Sequence, residues 1–150
     1  MFANAERMKY LLILLALIVF TSLGTRAQLK IYGGKNHDQF LGCIECSTED
    51  LNSIWCGFGE YGSVHKANSI WNELGKYGSY KSDYSPFNKK AKYPPLVLDE
   101  KGKSYGFMTI NKSNPKRSWD SFVNQITEQR DEIVKDIPAY HDRVFHDFHN

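Results

Sequence analysis

One long apolar run, Tyr10 to Phe20, stands apart from the rest of the chain, where apolar residues come in short, patterned groups. Leu29-Lys30-Ile31-Tyr32 alternates with period two, the mark of a half-buried strand, and Gly33-Gly34 ends it. Residues 38–43 supply a partner strand with Phe40 turned inward. Leu96-Val97-Leu98, a turn at Asp99 to Lys103 and a return from Ser104 to Ile110 predict a hairpin. Trp119, Phe122, Val123, Ile126, Ile133 and Val134 then recur near helical spacing. That spacing predicts one long helix over 118–137, capped by Ser118 and broken by Pro138. Tyr140, Val144 and Phe148 fall at i, i+4 and i+8 and predict a short second helix.

Between the strands lies a sixteen-residue repeat. Ser53-Ile54-Trp55-Cys56 with Gly59-Glu60-Tyr61-Gly62-Ser63 returns as Ser69-Ile70-Trp71-Asn72 with Gly75-Lys76-Tyr77-Gly78-Ser79. A decayed third copy reads Ser85-Pro86-Phe87-Asn88, then Ala91-Lys92-Tyr93-Pro94-Pro95. Each copy is too short to bury anything alone, so the copies must pack on one another or on a sheet. The serines predict short helical turns, each ended by Gly59 or Gly75 in a left-handed conformation. Trp55 and Trp71 hold equivalent positions beside an isoleucine and are expected in the core, with the tyrosines half exposed. The fold expected is α+β: a small single domain of short antiparallel strands and turn-rich repeats over 53–95, with a C-terminal helix packed on them.

The long apolar run belongs to a targeting signal. Arg7 and Lys9 precede it, and Thr25 and Ala27 sit like the last residues before a cleavage site. The run is eleven residues, against about 20 for a membrane-spanning helix. Residues 1–27 therefore read as a signal peptide, with Met1 or Met8 as the start, and 28–150 as one domain, secreted or periplasmic. Leu41-Gly42-Cys43 is not a lipidation site, because Lys35 to Gln39 before it is polar. Taking Glu6, Arg7, Lys9 and Arg26 from 17 acidic and 19 basic residues leaves 16 of each, so the mature chain is formally neutral. Its charge is uneven: residues 76–117 carry 10 basic and 3 acidic side chains, and residues 118–150 carry 3 and 7. Either the acidic end covers the basic middle, or the middle meets an anionic partner.

Candidate chemistry is sparse. Cys43-x-x-Cys46 in an exported chain is read first as a structural disulfide. A redox pair would open a helix in a βαβ frame, and the flanking Glu45, Glu49 and Asp50 disfavour a thiolate. Cys56 stands where the other copies have asparagine. Asp142, His146 and His149 would share a helix face and form a weak metal candidate. No Gly-x-Ser-x-Gly, His-Glu-x-x-His or phosphate-cradling loop is present, and no cofactor is implied. Tyr61, Tyr77, Tyr80 and Tyr84, with Lys89, Lys90 and Lys92, are the candidate ligand surface.

From Ile31 to Asn111 the chain resembles a small family of exported bacterial proteins of uncharacterised function. The shared features are Leu41 to Cys46, the copies at 53 and 69, Pro94-Pro95, the hairpin and Asn111-Lys112. The resemblance implies an accessory role, since the module sometimes accompanies a secreted nuclease-like domain, and it brings no functional residues. This chain departs from the family at Cys56 and in a longer C-terminal helix. The expected function is a non-enzymatic binding or accessory module with an envelope or extracellular partner. Two other readings stay open: a thiol-redox or zinc protein using Cys43 and Cys46, and a module binding nucleic acid or acidic glycan through the basic middle.

Overall fold

The computed structural model describes residues 6–12 and 27–146. Most of the expected signal peptide, including its apolar run beyond residue 12, lies outside the described residues, as does His149. No helix among the described residues is long and apolar enough to cross a membrane.

The domain is α+β. Strands β1 (Lys30–Gly33), β2 (Gln39–Cys43), β3 (Leu96–Leu98) and β4 (Ser104–Phe107) form one antiparallel sheet in the order β2-β1-β3-β4. Both expected hairpins are present. The alternation in β1 buries Ile31 completely, and Val97 of the neighbouring β3 lies opposite it. The second hairpin is shorter than its apolar pattern: Met108 and Ile110 leave β4 and donate their N–H groups to the carbonyls of Pro95 and Pro86.

Residues 47–95 contain neither a helix nor a multi-residue strand. The expected helical turns are replaced by a staircase of single turns. From Ser53 the backbone bonds step to 56, 59, 63, 66 and 69, advances of 3, 3, 4, 3 and 3 residues that account for the sixteen-residue period. The same steps run from Ser69 through 72, 75, 79 and 82 to Ser85. At Ser53, Ser63, Ser69, Ser79, Ser82 and Ser85 the side-chain hydroxyl accepts from the N–H two residues on, and Asn72 and Asn88 use their amide oxygens in the same way. These side chains therefore close local turns rather than cap helices. Gly59 and Gly75 do not adopt a left-handed conformation. The glycines the repeat needs are Gly62 and Gly78, where a Cβ would lie 2.3 Å from the Cys56 carbonyl oxygen and 2.2 Å from that of Asn72.

Stacking the copies makes an aromatic ladder. The Trp55 and Trp71 rings lie 5.9 Å apart, and those of Trp71 and Phe87 lie 6.1 Å apart. Both tryptophans are buried, as expected. Each indole N–H donates to the layer before it: Trp71 to the Ile54 carbonyl at 2.5 Å and Trp55 to the Ile44 carbonyl at 2.6 Å. The sheet covers the first layer and the chain after β4 covers the last, so neither end of this short stack is bare.

The C-terminal pattern forms three helices instead of one long and one short: α1 (Ser121–Glu128), α2 (Arg130–Ile133) and α3 (Ile137–His146). Asp120, not Ser118, caps α1 by accepting from the Val123 N–H. Gln129 leaves helical geometry at φ −100°, ψ 17° and separates α1 from α2. Pro138 does not end a helix. It sits in the first turn of α3, where a proline has no lost hydrogen bond to answer for, and Asp136 accepts the Ala139 N–H there. Tyr140 of α3 stacks on Trp55 at 5.9 Å, so the helices lie along the ladder.

Gly78→Ala should cost about 2 kcal/mol or more, because its Cβ collides with backbone. Gly57→Ala, with nothing within 4 Å, should be near neutral. Thermal unfolding followed by circular dichroism distinguishes the two, and equal melting temperatures would contradict the close turn at Gly78.

Candidate functional site: an aromatic and basic groove beside β4

The groove starts from the hairpin turn. The Asp99 carboxylate accepts from the N–H groups of Lys101 and Lys103 at 2.9 Å each, which fixes where Lys103 enters β4. Gly106 follows at φ +88°, and a Cβ there would lie 2.9 Å from the Lys116 carbonyl oxygen. Its bareness lets residues 116–118 run against the strand. Phe107 donates to the Lys116 carbonyl at 2.7 Å, and Ser118 donates to the Phe107 carbonyl at 2.8 Å. Trp119 is thus held between a strand bridge on one side and the Asp120 cap of α1 on the other. The helical spacing puts Trp119 on the apolar stripe of the long helix, but it precedes α1 and is 63% exposed.

The Trp119 indole stacks on Tyr105 with centroids 4.5 Å apart and planes at 24°. Lys103 Nζ lies 5.6 Å from the Trp119 ring and 5.5 Å from Tyr105, within cation–π reach of both. Trp119 also borders a groove of about 600 Å³ whose lining includes His37, Ser104, Phe107, Lys116 and Arg117. His37 has φ +54°, stacks on Phe107 at 5.3 Å and directs Nε2 at the Pro94 carbonyl oxygen, 3.0 Å away. Facing an acceptor, Nε2 carries the proton and donates.

The electrostatics of the groove are set by which cations have partners. Arg117 is committed: its Nε donates to the Thr109 carbonyl, and its terminal nitrogen lies 2.6 Å from Glu128. Glu128 also meets Lys112 at 3.3 Å. The acidic C-terminal segment thus neutralises part of the basic middle, as one reading of the charge pattern expects. Lys103 and Lys116 make no ion pair with a described residue. No carboxylate lines the groove.

The tyrosines and lysines expected to form a ligand surface are dispersed. Tyr77 is buried, against the half-exposed expectation, because Gly33 leaves room for its ring. Tyr61 packs edge-on against Phe40 at 4.9 Å. Tyr84 stacks on Tyr93 at 5.3 Å beneath Lys76 Nζ at 4.2 Å. Lys92 pairs with Asp83 at 3.4 Å, while Lys89 lines a small pocket with Lys112, and the Lys90 N–H closes the Asn88 turn. Tyr80, 45% exposed, is tied to the helices: Arg130 donates to its hydroxyl at 2.7 Å, and that hydroxyl donates to Asp131. The Arg130 guanidinium is buried over the Tyr80 and Phe87 rings, at 4.7 and 5.2 Å, and also reaches the Trp71 carbonyl. The chemistry-bearing face is therefore on the hairpin and the chain before α1. An aromatic directly before the capping residue of a helix was the signal for it in the sequence.

Cys43 and Cys46 form a disulfide, and both are buried. The pair closes a turn at the end of β2, with no helix starting there. Cys56 is a buried free thiol. Asp142 faces His141 at 3.4 Å on α3. No family model, curated protein or solved structure matches the chain.

The helix anchors carry a pH signature. The Tyr80 hydroxyl, and after it Arg130, holds the Asp131 carboxyl below its ordinary 3.8 despite some burial. Arg117, then Lys112, holds Glu128 below 4.5. Both groups bind protons less readily when folded, so the stability they add is present above about pH 4.5 and is lost as pH falls through their lowered values. The melting temperature should drop across that window, and Glu128→Gln should make the drop shallower. A wild-type profile unchanged by that substitution would contradict the bridge.

Proposed function

We propose that the protein is an exported, non-catalytic binding module that holds a ligand in the Trp119 groove at the cell envelope or outside the cell. The observation that carries this reading is Trp119 itself, a large indole left 63% exposed yet clamped on Tyr105 and between two backbone anchors. Exposed apolar surface is unfavourable by about 25 cal/mol per Å², and a ligand lying on the indole recovers that. A rigid aromatic with a polar rim is also what recognition sites commonly use, because little side-chain freedom is lost on binding.

Export rests on Arg7 and Lys9, the apolar run and the Thr25 and Ala27 spacing. The Cys43–Cys46 disulfide suits an oxidising compartment. The resemblance to exported bacterial proteins supports an accessory role. The non-catalytic part rests on how the groove's polar groups are used: the His37 Nε2–H is spent on Pro94 and Arg117 is spent on Glu128. The rival thiol-redox reading asks a buried disulfide at a strand end to exchange with a partner, and burial opposes that access.

Purified mature chain, beginning at Gln28 by intact mass, can be passed over immobilised polysaccharides and oligonucleotides beside Trp119→Ala. The wild type should be retained by at least one surface, and the variant should lose roughly tenfold or more in affinity. Its unfolding free energy should stay within about 1 kcal/mol of wild type, since the side chain is mostly exposed. Equal retention of both proteins would contradict the assignment.

A further inference from the structure

The groove's chemistry points further, to the class of its ligand, an inference that rests on the binding reading above. We infer that it takes an acidic saccharide: a pyranose ring lying on the free face of Trp119, with a carboxylate or sulfate between Lys103 and Lys116.

One face of the indole is already taken by Tyr105. What remains is one flat apolar face, which suits the C–H face of a single sugar ring. Lys103 stands at the edge of the stack, about equally far from the Trp119 and Tyr105 rings, and Lys116 lines the groove that Trp119 borders. Both are exposed, and neither has a carboxylate partner among the described residues. The acidic groups nearest in sequence are spent elsewhere: Asp99 closes the hairpin turn, Asp120 caps α1, and Glu128 meets Arg117 and Lys112. One such cation in the groove and one at the edge of its Trp119 wall, with no lining carboxylate, leave a local positive field, and an anion relieves it. The Ser104 hydroxyl lines the groove and accepts from the Gly106 N–H, so its own proton is free to donate to a ring or hydroxyl oxygen. The volume, about 600 Å³, falls in the range of small-ligand sites.

Nucleic acid is the competing anion, and the groove fits it less well. Single strands are held by several stacking platforms along a track of cations, and affinity grows with the phosphates neutralised. Here there is one exposed aromatic platform with two free lysines, and the mature chain is formally neutral.

The test is calorimetric titration of the mature protein, at low salt, with three probe sets. The first holds oligosaccharides bearing uronate, sialate or sulfate groups. The second holds the same sugars with the acid esterified or absent. The third is oligothymidylate. At least one acidic oligosaccharide should bind, and its neutral counterpart should bind roughly tenfold more weakly. Lys116→Gln and Lys103→Gln should each lose about threefold to tenfold, and added salt should shrink that loss. Trp119→Ala should abolish binding. Equal affinity for acidic and neutral sugars would overturn the acidic class while leaving the groove as a binding site. Tighter binding of oligothymidylate would overturn the saccharide. Acidic-sugar binding that survives Trp119→Ala would overturn the groove reading itself, and no binding by any acidic sugar would overturn this inference.

Discussion

Residues 47–91 must satisfy their backbone polar groups without a helix or a strand ladder, and the rest of the molecule depends on how they do it. Each turn is closed twice, once by a backbone bond three or four residues long and once, at most steps, by a serine or asparagine side chain accepting from the next N–H but one. An unpaired buried backbone group costs about 1–3 kcal/mol, so a coil this deep in the core needs a partner at nearly every step. Within each copy, Gly62 and Gly78 let the chain fold back onto the carbonyls of Cys56 and Asn72. Copies folded this tightly stack Trp55, Trp71 and Phe87, and the indole N–H groups bind each layer to the one before it.

The helices and the sheet are fitted to this ladder. Tyr140 covers Trp55, and Arg130 spans Tyr80 and Phe87 while reaching the Trp71 carbonyl. A buried guanidinium is costly to desolvate, and two aromatic faces, a phenol and a carbonyl offset that cost. The acidic C-terminal segment reaches the basic middle through Glu128, which meets both Lys112 and Arg117. Among the lysines that neutralisation leaves without an ion pair to a described residue, Lys103 and Lys116 lie beside the one tryptophan the ladder does not use.

The period of the repeat, the burial of Trp55 and Trp71, both hairpins and the α+β class were legible because each follows from local spacing. The kind of turn was not, since a serine before an apolar pair looks the same whether it caps a helix or closes a single turn, and only tertiary packing decides. The start of the long helix differs from its pattern for a related reason. Asp120 outcompetes Ser118 as the cap, and Trp119 then falls outside the helix although its spacing fits the apolar stripe. The pattern leaves Tyr77 half exposed, but its burial depends on the missing side chain of Gly33, more than forty residues away in sequence. The groove was hidden for the same reason, since Gly106 admits residues 116–118 only through a contact across the strand edge.

Two tryptophans build the ladder, the third is the proposed binding platform, and the chain has only three. Their indole N–H signals, followed by hydrogen exchange and ligand titration in one ¹⁵N-labelled sample, separate these roles. Two resonances, from Trp55 and Trp71, should exchange slowly and stay fixed when an acidic oligosaccharide is added. The third, from Trp119, should exchange fast and be the one that moves. Three indoles exchanging alike, or a ligand shift carried by the protected pair, would contradict the account.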